Sequence, residues 1–235
     1  MTRFADLHLR VPIDDPVQTQ NMITAASELG YSLVGIPLPG NVSQRQISDI
    51  KQFCQNAKLD FVSRINLAPK NSNELLANLR RYRRKFELIA VRCNTKDVAR
   101  QAAKDRRVDL IQFSVTNVRQ RFFDHSEAEL ASSALCALEI EASPILQLTS
   151  ISRIRLLSSL RKEAATAQRA KVPIVVSSGA TNSLLLRGPY DFAALCTLFE
   201  LKQDAALKAL STNPFMLIER NKEKLSPGYV APGIR

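Results

Sequence analysis

Short apolar runs alternate with longer segments of helical period from one end of the 235-residue chain to the other. The runs at 4–9, 31–36, 59–65, 87–93, 108–113, 137–142 and 172–177 are brief and largely apolar and read as strands, and Val-Pro-Ile-Val-Val at 172–176 has the pattern of one buried on both faces. Between them, apolar side chains recur three and four positions apart and end in polar breaks, which predicts helices. Strands that alternate with helices build a parallel sheet, and right-handed crossovers of one β-α unit each leave either a barrel or a doubly wound sheet. The missing G-x-G-x-x-G turn argues against a dinucleotide-binding sheet. After the seventh run the pattern stays helical to about residue 224, broken near Lys202 and at Asn213-Pro214, and no eighth strand is expected. A hydrophobic content of 45% suffices for one large core; on composition one α/β barrel is as plausible as two smaller domains, and a single barrel domain over residues 1–235 is the expectation. Residues 226–235, rich in Pro and Gly, are expected to be an extended tail.

Composition narrows the function classes. No stretch approaches the roughly 18 apolar residues of a membrane span, and the chain opens directly on a strand-like segment, so a soluble, cytoplasmic protein is expected. Cys54, Cys93, Cys136 and Cys196 lack C-x-x-C spacing and fall on apolar stripes or at a strand end, which points to buried thiols rather than a zinc or redox site. The excess of 33 Lys and Arg over 22 Asp and Glu, a net charge of +11, calls for an anionic partner, with nucleic acid the leading candidate. No motif that reads bases is present, so recognition is expected to rest on shape and phosphate.

The positive charge is clustered. Arg80, Arg81, Arg83, Arg84 and Lys85 crowd the end of one helix, beyond what a helix dipole calls for. Lys104, Arg106 and Arg107 end the next, and Arg169 and Lys171 end the helix before strand seven. In a barrel these ends lie beside strand N-termini and form a basic crown. Arg155, Lys162 and Arg169 line one face of a long helix at 150–170, opposite an expected buried stripe of Ile151, Ile154, Leu157 and Leu160. On the other face of the barrel, Arg10, Arg119, Arg121 and Arg187 follow strands, with Phe122 and Phe123 interleaved, a combination suited to splayed bases or to a protein partner.

Strand seven empties into Ser177-Ser178-Gly179-Ala180, crosses Arg187, and restarts as a helix with Gly188 near the N-cap, Pro189 in the first turn and Asp191 at the positive end. Ser177, Ser178, Arg187 and Asp191 are expected to form one anchor for a phosphate or carboxylate. A serine nucleophile lacks a base, because His8 and His125 stand in no partner motif. Asp124 is a predicted N-cap for the helix beginning near Ser126.

The segment 177–191, with Thr212-Asn213-Pro214, Ile218-Glu219-Arg220-Asn221 and the tail Ser226-Pro227-Gly228…Pro232-Gly233-Ile234-Arg235, resembles the ribonuclease P protein component 3 family, archaeal counterparts of the thirty-kilodalton eukaryotic subunit. The resemblance is strongest over 172–235 and collinear from residue 4; Phe123-Asp124-His125 fits it as well. It implies an α/β fold, an irregular TIM-like, PHP-like barrel of about seven parallel strands with helices outside and extra C-terminal helices. It also implies a subunit of ribonuclease P that supports the RNA-catalysed removal of the 5′ leader from precursor tRNA. In that family the RNA carries the Mg2+-dependent chemistry, and the barrel works with a smaller protein partner. The implied partners are ribonuclease P RNA, smaller ribonuclease P protein subunits and, indirectly, precursor tRNA, with no membrane and no cofactor bound by this chain. Arg220 joins the RNA- or partner-binding candidates through its motif.

Phe-Ala-Asp-Leu-His-Leu-Arg at 4–10 is similar to the opening Asp-Leu-His-x-His of the PHP (polymerase and histidinol phosphatase) metalloenzymes, with Arg10 in place of the second histidine. A guanidinium ligates no metal and repels a cation, so the isolated chain is expected to be non-catalytic. Asp6, Glu139 and Glu141 are open to two readings, a reduced carboxylate metal set or buried ion pairs with Arg10, Arg64 or Arg92. The alternatives in function are a PHP-type phosphoesterase with that reduced site, or a basic protein-interaction platform.

Overall fold

A computed structural model describes residues 2–115 and 117–226. Seven parallel strands form one sheet in sequence order: β1 (Ala5–Asp6), β2 (Leu33–Pro37), β3 (Asp60–Leu67), β4 (Leu88–Cys93), β5 (Leu110–Phe113), β6 (Ala137–Glu141) and β7 (Ile174–Ser177). Among the described residues each pairs with its chain neighbours, in registers such as Ala5↔Leu33, Arg64↔Leu88 and Leu138↔Ile174. Among the described residues no ladder joins β7 to β1. The gap is bridged instead by Ser178 N–H donating to Asp6 Oδ1 at 2.9 Å and Arg10 N–H donating to Ala180 O at 2.9 Å. The result is a nearly closed barrel, which the family resemblance implies and which the alternating pattern left open beside a doubly wound sheet.

The helices α1 (Pro16–Glu28), α2 (Gln44–Asn56), α3 (Ser72–Tyr82), α4 (Lys96–Lys104), α5 (His125–Ala134), α6 (Ser143–Gln147) and α7 (Ser150–Arg169) connect the strands, and α8 (Pro189–Cys196), α9 (Gln203–Leu210) and α10 (Thr212–Leu225) follow β7. Capping sets several starts: Asp15, Ser43, Asn71, Thr95 and Asp124 each accept a backbone N–H of the first turn, the last confirming the cap expected before residue 126. Strand one is shorter than 4–9 because the chain leaves the ladder at Leu7: His8 N–H turns to Asp6 Oδ1, Leu9 N–H to Gly35 O and Arg10 N–H to Ala180 O. Gly35 permits this close approach, since a Cβ there would lie 2.6 Å from Leu7 O.

Two cores result. A large one lies between sheet and outer helices. A smaller one fills the lower half of the lumen with Ala5, Leu7, Leu33, Val62, Leu88, Ala90, Leu110, Ala137 and Val175, and α10 seals it from below with Leu217 and Ile218. All four cysteines are free and buried, and burial pushes the Cys54 and Cys196 thiols up to about 12. One helical stripe differs from expectation. Ile151 and Ile154 are 62% and 66% exposed, and α7 buries Leu156, Leu160, Glu163, Ala164 and Ala167 instead. A strict every-third spacing drifts around a helix of 3.6 residues per turn, by about half a turn over nine residues, so 151 and 160 cannot share a face. The tail expected beyond Ser226 lies outside the described residues.

Candidate functional site

Strand alternation sends every second side chain into the lumen, and at the C-terminal end of the strands these side chains are polar. Arg64 on β3 is fully buried and forks onto Glu139 of β6, with both N···O distances 2.6 Å. The same guanidinium donates to Leu7 O at 2.6 Å and to Asn66 Oδ1 at 2.7 Å. Glu139 also accepts from Ser177 Oγ and Gln112 Nε2, each at 2.6 Å. One residue pair up the strand, Glu141 accepts from Arg10 at 2.6 Å and from Gln112 at 3.0 Å, and lies 3.1 Å from His8 Nδ1. Every oxygen of Glu139 and Glu141 is therefore engaged. Of the two readings open for these carboxylates, the ion pairs are present, with Arg64 and Arg10 as partners. The residues at the mouth do not fit a divalent metal, because two fixed cations already neutralise the carboxylates that would ligate it.

Burial opposes the charge on Glu139 and Glu141, but the guanidiniums of Arg64 and Arg10, the donors beside them and His8 hold both carboxyls below their ordinary value. Burial raises the Asp6 carboxyl, and Asp6 Oδ2 is buried without a partner. His8 has a defined tautomer. Arg10 Nε can only donate to the ring, at 3.1 Å, and Asn66, whose Oδ1 already accepts from Arg64, offers its amide N–H at 2.9 Å, so Nε2 accepts and Nδ1–H points at Glu141. Burial, then the nearby Arg64 charge, lowers the imidazole from 6.5. A ring held neutral in the fold contributes fully above its ordinary value and loses that contribution as pH falls below it, because the unfolded chain then binds the extra proton. The imidazole NMR signal of His8 is expected to be that of a neutral Nδ1–H ring at neutral pH and to titrate only below the ordinary histidine value of 6.5. A midpoint at or above that value would contradict the network.

The anchor expected from Ser177, Ser178, Arg187 and Asp191 is divided by the structure. Ser177 and Ser178 are fully buried, bonded to Glu139 and, through Ser178 Oγ, to His8 O at 3.4 Å. Arg187 is exposed and holds its own loop by donating to Leu184 O at 2.8 Å and Leu186 O at 2.6 Å. Asp191 is exposed in the first turn of α8, and with Arg187, Leu146, Ala194, Leu195 and Leu198 it lines an open hollow of ≈550 Å³. Arg121 is also not a surface cation. Its guanidinium forks onto Glu163 of α7 at 2.6 and 2.6 Å and donates to Ser114 O at 2.8 Å, with both side chains of the pair nearly buried. Phe123 is buried against Phe113 with centroids 6.0 Å apart, and Phe122 is half-buried, so the aromatic interleaving belongs to the core. Arg10 serves Glu141, whereas Arg119 is exposed.

The basic crown does gather at the N-terminal ends of the strands, around buried Asp109. Arg83 donates to Asp109 at 2.5 Å and to the carbonyls of Phe86 and Glu87 at 2.8 and 2.9 Å, and Arg220 of α10 reaches Asp109 at 3.2 Å and also bonds Leu135 O. Arg107 pairs with Asp105 at 2.6 Å. These three are committed internally. Arg80, Arg81, Arg84, Lys85 and Arg106 are exposed, Arg81 lying 5.2 Å over the Tyr82 ring. Sequence reasoning passed over Asn66, Gln112 and Asp109; a glutamine inside the apolar Leu-Ile-Gln-Phe of β5 was the available signal for the second of these.

The model of the family described as RNase P subunit p30 matches residues 3–226. Ribonuclease P protein component 3 of Methanosarcina barkeri is 27% identical over 232 residues, covering 99% of this chain and 95% of the relative, and that of Methanosarcina acetivorans is 29% identical over 233 residues with the same coverage. Among solved structures, a chain in the cryo-EM structure of archaeal ribonuclease P with mature tRNA superposes with a TM-score of 0.85 at 20% identity, covering 98% of this chain and 96% of that one. A putative prolidase from Bifidobacterium longum, TM-score 0.55 at 10% identity over 95% of this chain and 70% of its own, shares the fold alone. With the barrel intact from β1 to α10 and the family match spanning it, this chain belongs to the RNase P subunit p30 family.

Proposed function

We propose that this chain acts as one barrel domain, a protein subunit of ribonuclease P that supports RNA-catalysed removal of the 5′ leader from precursor tRNA and carries no catalytic centre of its own. The family match over residues 3–226 carries this reading. Arg64 and Arg10, seated on the carboxylates where a barrel metalloenzyme of this type keeps its metals, support the non-catalytic part. The Mg2+ requirement then belongs to the RNA, and the partners are that RNA and smaller protein subunits, in the cytoplasm. Arg187 and Asp191, at the rim of the apolar hollow, are the candidate contacts for a smaller protein subunit.

Reconstitution of precursor-tRNA cleavage in Mg2+, with ribonuclease P RNA and the smaller subunits, is expected to gain activity when this chain is added. The chain alone is expected to turn over neither precursor tRNA nor a generic phosphoester. Metal-dependent turnover by the isolated protein would overturn the assignment of roles.

Binding to RNA is expected to be mainly electrostatic, given the +11 charge, with affinity falling steeply between about 50 and 200 mM salt. Neutralising Arg80, Arg81, Arg84 and Lys85 together is expected to flatten the salt dependence. Arg83 is left intact because it holds Asp109. An unchanged slope would return this cluster to the status of a helix terminus.

A further inference from the structure

We propose that the C-terminal mouth of the barrel carries a binding track for the phosphodiester backbone of RNA, built on Arg92, Arg119 and Arg155. Two open hollows meet there at Val115. One, of ≈340 Å³, is lined by Arg10, Arg92, Asn94, Ser114 and Glu141; the other, of ≈680 Å³, by Asn117, Arg119, Ser152 and Arg155.

The arginines of this region fall into two groups. Arg10 and Arg121 are spent on Glu141 and Glu163. Arg92, Arg119 and Arg155 are exposed, and among the described residues their guanidinium groups make no hydrogen bond or ion pair. Glu141, the carboxylate lining the smaller hollow, is already matched in charge by Arg10 and does not offset them.

Three separate elements deliver the free cations, so they are not the solvated face of one helix. Arg92 shares the lumen-facing register of Leu88 and Ala90 on β4 and emerges at its C-terminal end. Arg119 sits on the 3-10 turn Val118–Gln120, and Arg155 on the opening turns of α7, which project past the core with Ile151 and Ile154 exposed. The buried Arg121–Glu163 fork ties the segment after that turn to α7, and Arg121 also holds Ser114 O at the end of β5. Arg121 is thus a positioning residue that fixes the spacing of Arg119 and Arg155.

A guanidinium presents a planar fork matched to phosphate oxygens, and Asn94, Ser114, Asn117 and Ser152 add donors of the kind that contact phosphate and sugar. Among the exposed large apolar side chains described on these elements, Val118 at 38% lines the hollows, whereas Ile151 and Ile154 lie outside their lining, and the three unpaired guanidiniums favour RNA over a protein partner. The inference rests on the ribonuclease P reading for the identity of the RNA.

The test compares the full chain with Arg92→Glu/Arg119→Glu/Arg155→Glu and with a control of equal charge change, Arg45→Glu/Lys202→Glu/Lys208→Glu, against a ribonuclease P RNA transcript. With melting temperature unchanged, the mouth variant is expected to lose about tenfold or more in affinity, and its log–log salt slope to become shallower by about 2, as three phosphate contacts disappear. Affinity and slope equal to the control's would overturn the proposal. Retained RNA binding with loss of the smaller protein subunits would also overturn it and assign the groove to protein. If the triple variant unfolds, Arg155→Glu alone, on an exposed helix face, is expected to lower the slope by about 0.7, and no change would count against the track. A wild-type chain that gives no gain in precursor-tRNA cleavage, while the mouth variant still loses RNA affinity, would sink the proposed function and leave the track standing.

Discussion

Arg64→Met is expected to destabilise the protein by about 3–5 kcal/mol, because it strands the Glu139 carboxylate in the middle of the barrel. The effect comes less from the attraction lost than from the charge left behind. Both side chains are fully buried, and only Ser177 Oγ and Gln112 Nε2 would remain to solvate Glu139. Leu7 O and Asn66 Oδ1 would lose their donor as well. Removing both ions together avoids the stranded charge, so Arg64→Met/Glu139→Leu is expected to recover much of the loss. Urea denaturation of the single and double variants decides the matter. A single-variant loss under about 1 kcal/mol, or a double variant no better than the single one, would show that Glu139 finds water or a proton and that the fork is not what holds the mouth together.

Asp109→Ala is expected to cost a comparable amount, about 3–5 kcal/mol, at the opposite end of the barrel. Asp109 is fully buried and accepts from Arg83, Arg220 and Ile89 N–H. Its removal leaves two guanidiniums facing each other and an amide without its acceptor. Arg220 belongs to α10, so the damage is expected to be directional: amide exchange along α10 should accelerate more than exchange in β3 or β4. Uniform acceleration, or a loss below about 1 kcal/mol, would mean that Leu217, Ile218 and the α10 bonds to Leu135 O and Glu87 O hold the helix, and that Asp109 is not its latch.

The strands were legible because their largely apolar runs are too short for a helix and are bounded by polar breaks, although β1 proved shorter than its run. Helix starts were legible where a cap chemistry exists, as at Asp124. The failures share one cause, which is that a charge in sequence does not say what it faces. Arg83 stands among five other residues of the same helix end and looks like its neighbours, yet it alone turns inward to Asp109. Arg121 follows a strand just as Arg119 does, but Glu163, forty-two positions on, claims it. Ser177 and Ser178 were recognised as belonging to the site-bearing loop, but whether a strand-end hydroxyl faces solvent or lumen depends on register and on the side chain across the barrel. Glu163 itself sits on the buried face of α7, half a turn from Ile154, whereas spacing alone assigned burial to the isoleucines.

The position of α10 has a bearing on how the molecule is made. Synthesis runs from the N-terminus and segments begin to fold as they emerge, yet the helix that closes the lower lumen is translated after all seven strands it covers. Until Leu217 and Ile218 arrive, the small core of Ala5, Leu7, Leu33, Leu88 and Leu110 is a basin open to water, however well the ring of strands has formed. From the emergence of β7 to that of α10 the lumen therefore stays exposed to unwanted partners, and its enclosure is one event on the scale of a single helix docking.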